Sequence, residues 1–160
     1  MRKTVHSRKD RLIKQKRQDS YAAHSKLSEP TVCEICGVVY ANGRWVWKER
    51  PAGSQMIKCP ACRRTEQNYP AGTIRLSGPF FEEHREEISN LIRNIEVQEK
   101  NERPLERIMT VNHNRTNTVV TTTGIHLARR IGEALSRAYN GSYSFNYLDG
   151  EDYIEVNWQR

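Results

Sequence analysis

A chain of 160 residues, 36% apolar and 28% charged, has room for one or two small domains but only a thin hydrophobic core. No apolar run approaches the roughly 18 residues of a membrane span, and the start of the chain lacks the apolar stretch of a secretory signal, so a cytoplasmic location without a membrane partner is expected. The net charge of +7 is segregated: residues 1–30 hold nine Lys and Arg against three acids, and residues 31–160 hold seventeen against sixteen, so attraction to a polyanion is expected of the first segment rather than of the body.

Residues 1–30 read as a basic disordered tail. Lys9, Arg11, Lys14, Lys16 and Arg17 alternate with polar residues, and too few large apolar side chains accompany them to form a core. These five are candidate phosphate contacts. The segment has no apolar face for lying on a membrane, and Pro30 ends it.

Residues 31–72 read as a zinc-ribbon-like module. All four cysteines fall in two pairs, C-x2-C-x22-C-x2-C, formed by Cys33, Cys36, Cys59 and Cys62. Paired thiols with none left over suit a reducing compartment and a metal. Tetrahedral zinc takes four soft ligands, and two tight turns can each present two sulfurs on one side. Gly37 lets backbone amides approach the thiolates, and Lys58, Arg63 and Arg64 are placed to offset their charge. Iron and a thioredoxin-like redox pair are the rival chemistries, the latter needing only one pair at a strand–helix junction. Between the pairs, Asn42-Gly43 separates two β-prone runs and predicts a tight hairpin with Tyr40 opposite Trp45. Its aromatic face could stack unpaired bases, but packing on the rest of the protein is the better expectation. Gln55 to Lys58 reads as a third strand.

Residues 73–160 read as an α/β domain. A strand at residues 73–76 precedes a helix start at Ser77-Gly78-Pro79, followed by Glu82, Glu83, Glu86 and Glu87. Phe81, His84, Ile88, Leu91, Ile92 and Ile95 recur at helical spacing. Two strands, 107–111 and 118–122, lead to a second helix whose stripe is Leu127, Ala128, Ile131, Ala134, Leu135 and Ala138 and which stops at Asn140-Gly141. A last hairpin turns at Asp149-Gly150, and a two-residue loop there would set Tyr143 against Val156 and Phe145 against Ile154. The order β-α-β-β-α-β-β predicts a ferredoxin-like domain with the final strand added at the edge, and an α+β protein as a whole.

The helix start Thr121-Thr122-Thr123-Gly124 offers amides and hydroxyls to phosphate, and Arg130 and Arg137 share one face of the helix behind it. With Arg63, Arg64 and the tail, they complete the candidate RNA contacts. Simple capping and a solvated basic face explain the same residues equally well. The acidic helix over residues 80–101 should avoid RNA and is a candidate surface for a protein partner. The five histidines form no ligand or catalytic spacing, and there is no nucleophile elbow, P-loop or dinucleotide fingerprint, so no enzymatic activity is expected.

The C-x-x-C pairs with Arg64 after the second, followed by the helix around Ile88 to Ile95, the strands ending in Thr121-Thr122-Thr123, the helix Leu127-Ala128-Arg129-Arg130 and the terminal hairpin, resemble the large-ribosomal-subunit export adaptor (nonsense-mediated-decay adaptor) family. The resemblance covers residues 33–160 and is carried mainly by the cysteines and the order of elements. It implies zinc and association with the ribosome or ribosomal RNA. That family's longer members carry a further N-terminal cysteine set and additional C-terminal domains, so nuclear export is not implied and the chain resembles a short, stand-alone relative. The expected function is a zinc-binding, non-enzymatic RNA- or ribosome-associated factor in subunit maturation, quality control or dormancy. A zinc-stabilised protein-interaction adaptor is the alternative.

Overall fold

A computed structural model describes residues 27–148, 150 and 152–160. The chain is α+β, with two mixed sheets and four helices among the described residues. No helix among them is long and apolar enough to cross a membrane. The basic residues Lys9, Arg11, Lys14, Lys16 and Arg17 lie outside the described residues.

The first sheet has the order β3-β2-β1-β4 and is built from β1 (Thr31–Cys33), β2 (Val39–Ala41), β3 (Arg44–Val46) and β4 (Gln55–Ile57). The β2–β3 turn forms at Asn42-Gly43, both in the left-handed region at φ 53° and 77°. Asn and Gly tolerate that region, which a two-residue turn between right-twisted strands requires. The expected pairing of Tyr40 with Trp45 follows, with the rings edge-on at 5.3 Å. Helix α1 (Pro60–Glu66) was not expected from apolar periodicity. Its signal is chemical instead: the Cys59 sulfur accepts from the Cys62 amide at the N-cap, and Pro60 supplies a preset φ in the first turn.

The second sheet has the order β6-β7-β5-β9-β8, from β5 (Gly72–Ser77), β6 (Ile108–His113), β7 (Asn117–Thr122), β8 (Ser142–Leu148) and β9 (Tyr153–Gln159). Helix α2 (Pro79–Glu83) breaks at His84 before α3 (Arg85–Glu102), so the single helix expected after Pro79 is two. Helix α4 (Ile125–Tyr139) matches expectation. One face of the sheet buries Ile74, Leu76, Val120, Ile154, Val156 and Trp158 against Ile88, Ile92 and Ile95 of α3 and Leu127, Ile131 and Leu135 of α4. Each such side chain contributes about 1.5–3 kcal/mol on burial.

Two details of the last hairpin depart from expectation. Tyr143 pairs with Trp158, Phe145 with Val156 and Tyr147 with Ile154, a register displaced by two residues from that of a two-residue loop. An even displacement leaves every side chain on its expected face. The strand order departs more deeply from a ferredoxin-like sheet: β9 lies beside β5, parallel to it, and β8 is the edge. Burial explains the exchange. β9 carries three fully buried residues, Ile154, Val156 and Trp158, while no residue of β8 is buried, so the interior position falls to β9.

Candidate metal centre

Parallel pairing of β1 with β4 sets Cys33 beside Ile57, two residues before Cys59, and so brings the two cysteine turns together. In the first turn the Gly37 amide donates to the Cys33 carbonyl at 3.0 Å, with Gly37 at φ 79°. In the second, Cys59 caps α1 and Cys62 lies in its first turn. The four sulfurs lie within 4.8 Å of one another, and Cys36 Sγ is 3.8 Å from Cys59 Sγ. A tetrahedron with metal–sulfur bonds of about 2.3 Å has edges of about 3.8 Å. Cys33, Cys59 and Cys62 are buried and Cys36 is half-exposed.

Amides already compensate part of the sulfur charge. The Cys59 amide donates to Cys33 Sγ at 3.2 Å and the Cys62 amide to Cys59 Sγ at 3.4 Å. Burial works to raise the Cys33 thiol, but amides of Cys36, Cys59 and Ile35 outweigh it and bring it down to about 6. Burial pushes the Cys59 and Cys62 thiols up, and the neighbouring sulfurs add to that. Four thiolates this close repel one another unless a cation sits among them. The cluster therefore suits a soft metal ion with four sulfur ligands.

Neither the models of known protein families nor the curated proteins match this chain.

The residue that completes the centre comes from the α/β domain and was missed in the sequence. Arg107 Nη2 donates to Cys36 Sγ at 3.2 Å and Nη1 to Cys62 Sγ at 3.3 Å. Its Nε is held by the Pro104 carbonyl at 2.8 Å and its amide by Thr123 Oγ1. Burial works against the Arg107 charge, and the thiolates of Cys36, Cys59 and Cys62 more than restore it. The only sequence signal is Pro104, which stops α3 before Arg107 and frees the chain to turn back. Trp47 closes the same side, with its indole donating to the Lys100 carbonyl at 2.7 Å and the Arg107 guanidinium 5.7 Å from its ring. The aromatic hairpin thus packs on the α/β domain through Trp47.

Of the residues expected to offset the thiolates, Lys58 feels the Cys62 charge only as a minor influence beside that of Glu66. Lys58 is ion-paired with Glu66. Arg64 is buried, with its Nη1 donating to the Tyr69 carbonyl at 3.2 Å, and so does not reach a phosphate; Arg63 is exposed. Arg107→Met should therefore lower metal affinity about tenfold to a hundredfold, the usual effect of removing a hydrogen-bond partner of the ligands. Competition against a chromophoric chelator measures it, and an unchanged affinity would show that Arg107 only bridges the domains.

The phosphate site expected at the start of α4 is already filled from within. The buried Glu106 carboxylate accepts from the Leu127 amide at 3.0 Å, and a Cβ on Gly124 would collide with it. Burial pushes the Glu106 carboxyl up, and the Leu127 amide offsets part of that. Glycine is required at the N-cap because the carboxylate occupies the space a side chain would take.

Arg130 and Arg137 also separate. Arg130 is ion-paired with Glu99 of α3 and donates to Gln98 at 3.1 Å, whereas Arg137 is exposed. Glu99 is 4% exposed, with Arg103, at 3.8 Å, as its second cation among the described residues. Removing Arg130 leaves a buried carboxylate undercompensated, so Arg130→Ala should cost about 2 kcal/mol, less than for a fully buried pair because Arg130 is partly solvated. Arg137→Ala should cost under about 0.5 kcal/mol. Urea unfolding of the two variants separates them, and equal midpoints would remove the α3–α4 ion pair from the stability argument.

Proposed function

We propose that the chain is a cytoplasmic, non-enzymatic, zinc-binding factor that associates with RNA, on the ribosome, in subunit maturation, quality control or dormancy. The observation that carries this reading is the position of the charge. Residues 1–26 hold nine Lys and Arg against two acids, and the remaining residues hold seventeen of each, so the entire excess of +7 precedes Leu27. The chain joins the body at the tip of the β2–β3 hairpin, where the Glu29 carboxylate accepts from the Asn42 and Gly43 amides at 3.2 and 2.8 Å. Arg44, Lys48 and Arg50 of the same hairpin region are exposed. A neutral body preceded in sequence by a segment that carries all of the excess cations suits a partner that is a dense polyanion. The resemblance to the ribosomal export adaptor family supports the choice of ribosomal RNA.

Zinc is the metal preferred for the four-thiolate set because no ligand position is left open for chemistry, as in structural zinc sites. The metal would hold the module that presents the hairpin, while Arg107 ties that module to the α/β domain. Cosedimentation with ribosomes at low and high salt tests the proposal, with binding that falls away as salt rises as the expected result. Absence of cosedimentation at low salt would overturn it. A protein-interaction adaptor is the second reading, favoured by the four exposed glutamates Glu82, Glu83, Glu86 and Glu87 on α2 and α3. Salt-insensitive capture of a protein partner, abolished by neutralising those glutamates, would favour it.

A further inference from the structure

Among the described residues, strand β8 is an unprotected sheet edge. It is seven residues long, Ser142-Tyr143-Ser144-Phe145-Asn146-Tyr147-Leu148, and contains no charge, proline or glycine. It pairs with β9 in unbroken register and has no strand on its other side among the described residues. Sheet edges are ordinarily guarded by charge, proline, a bulge or shortness. The opposite edge, β6, has a bulge between Ile108 and Thr110, and the edges of the first sheet, β3 and β4, are three residues each. β8 has none of these devices.

Its aromatic side chains form a partly exposed margin to the core. Tyr143, Phe145 and Tyr147 share the helix-facing side with Trp158, Val156 and Ile154, and they form a ladder with ring centroids 5.8 and 5.7 Å apart. Phe145 at its centre is 40% exposed, covered on one side by the Arg129 guanidinium at 4.9 Å. The strand is close to a palindrome about Phe145. Reading outward in both directions gives a small polar residue (Ser144, Asn146), then a tyrosine (Tyr143, Tyr147).

We propose that β8 pairs antiparallel with β8 of a second copy about a twofold axis at Phe145, joining two five-stranded sheets into one continuous sheet. Antiparallel self-pairing places residue 145 − n against residue 145 + n, so the palindrome matches aromatic with aromatic and polar with polar. Phe145 meets Phe145 of the second copy, and each Tyr143 meets a Tyr147. Aromatic cross-strand pairs of this kind are favourable, and a neutral strand brings no like charges together across the axis. These matches select a second copy over an unrelated extended peptide, which would have no reason to fit the palindrome.

Ser144 and Asn146 point to the other face and are exposed, so charges there leave the core untouched. The proposed register sets Ser144 directly against Asn146 of the second copy. The experiment is sedimentation velocity on the full chain at tens of micromolar, freed of RNA by nuclease treatment and a high-salt wash and then run at about 0.1 M salt, where charges on neighbouring strands still act on each other. The parent should be a dimer. S144K/N146K and S144E/N146E should each be folded by circular dichroism with the dimer dissociation constant raised about tenfold or more, because every like pair faces its mate. An equimolar mixture of the two should restore dimers containing one chain of each. A monomeric parent, a lysine variant that associates as tightly as the parent, or a mixture that stays monomeric would each overturn the proposal. None of these outcomes depends on the metal or on RNA.

Discussion

Purified protein is expected to carry one zinc ion per chain, and Cys59→Ser to abolish both the metal and the fold of the first sheet. Structural zinc contributes on the order of 10 kcal/mol in small domains, more than the remaining contacts of three-residue strands can replace. Cys59 is the most informative ligand to change. It is fully buried and also caps α1 by accepting from the Cys62 amide. Serine caps helices well, so the substitution preserves the cap and isolates the effect of the metal. The α/β domain has its own core, centred on Ile74, Leu127, Ile154 and Trp158, and should remain folded. Two of the three tryptophans, Trp45 and Trp47, lie in the metal module and Trp158 in the other core, so near-ultraviolet dichroism should report a partial change rather than a complete one. Elemental analysis showing no zinc, or a Cys59→Ser protein with an unchanged spectrum, would contradict the assignment.

The second large effect concerns the basic segment. Deleting residues 1–26 removes the whole charge excess and leaves the Glu29 contacts to the hairpin tip in place. RNA affinity at low salt should fall by at least about a hundredfold. The slope of log affinity against log salt should become shallower by about 0.7–0.9 for each phosphate that the segment no longer neutralises. Thermal stability should not change, because the segment has too few large apolar side chains to add to a core. A filter-binding titration at several salt concentrations provides both numbers. An unchanged slope would place the RNA contacts on the body, where Arg44, Lys48 and Arg50 would be next in line.

The candidate site was legible where its logic is local. The four cysteines announce themselves by spacing, and Asn42-Gly43 sets the hairpin register because a two-residue turn leaves no alternative alignment. The RNA surface was less legible. Arg64 and Arg130 look like free cations in a linear reading, yet one is buried against the Tyr69 carbonyl and the other answers a buried glutamate on a different helix. A positive charge in sequence does not say which way its side chain turns once the helices pack.

From sequence alone came the segregation of charge, the metal-ligand set, the two core stripes of α3 and α4, and the two faces of the terminal hairpin. Each is a property of neighbours within a turn, a repeat period or a short loop, where backbone geometry dictates the outcome. Tertiary structure alone decided that Arg107, 71 residues from Cys36, would close the thiolate cluster. It alone placed Glu106 at the start of α4, where phosphate had been expected, and put β9 inside the sheet with β8 at its edge. Those outcomes depend on which surfaces bury best against each other across long stretches of chain, a comparison of whole faces that no local pattern contains.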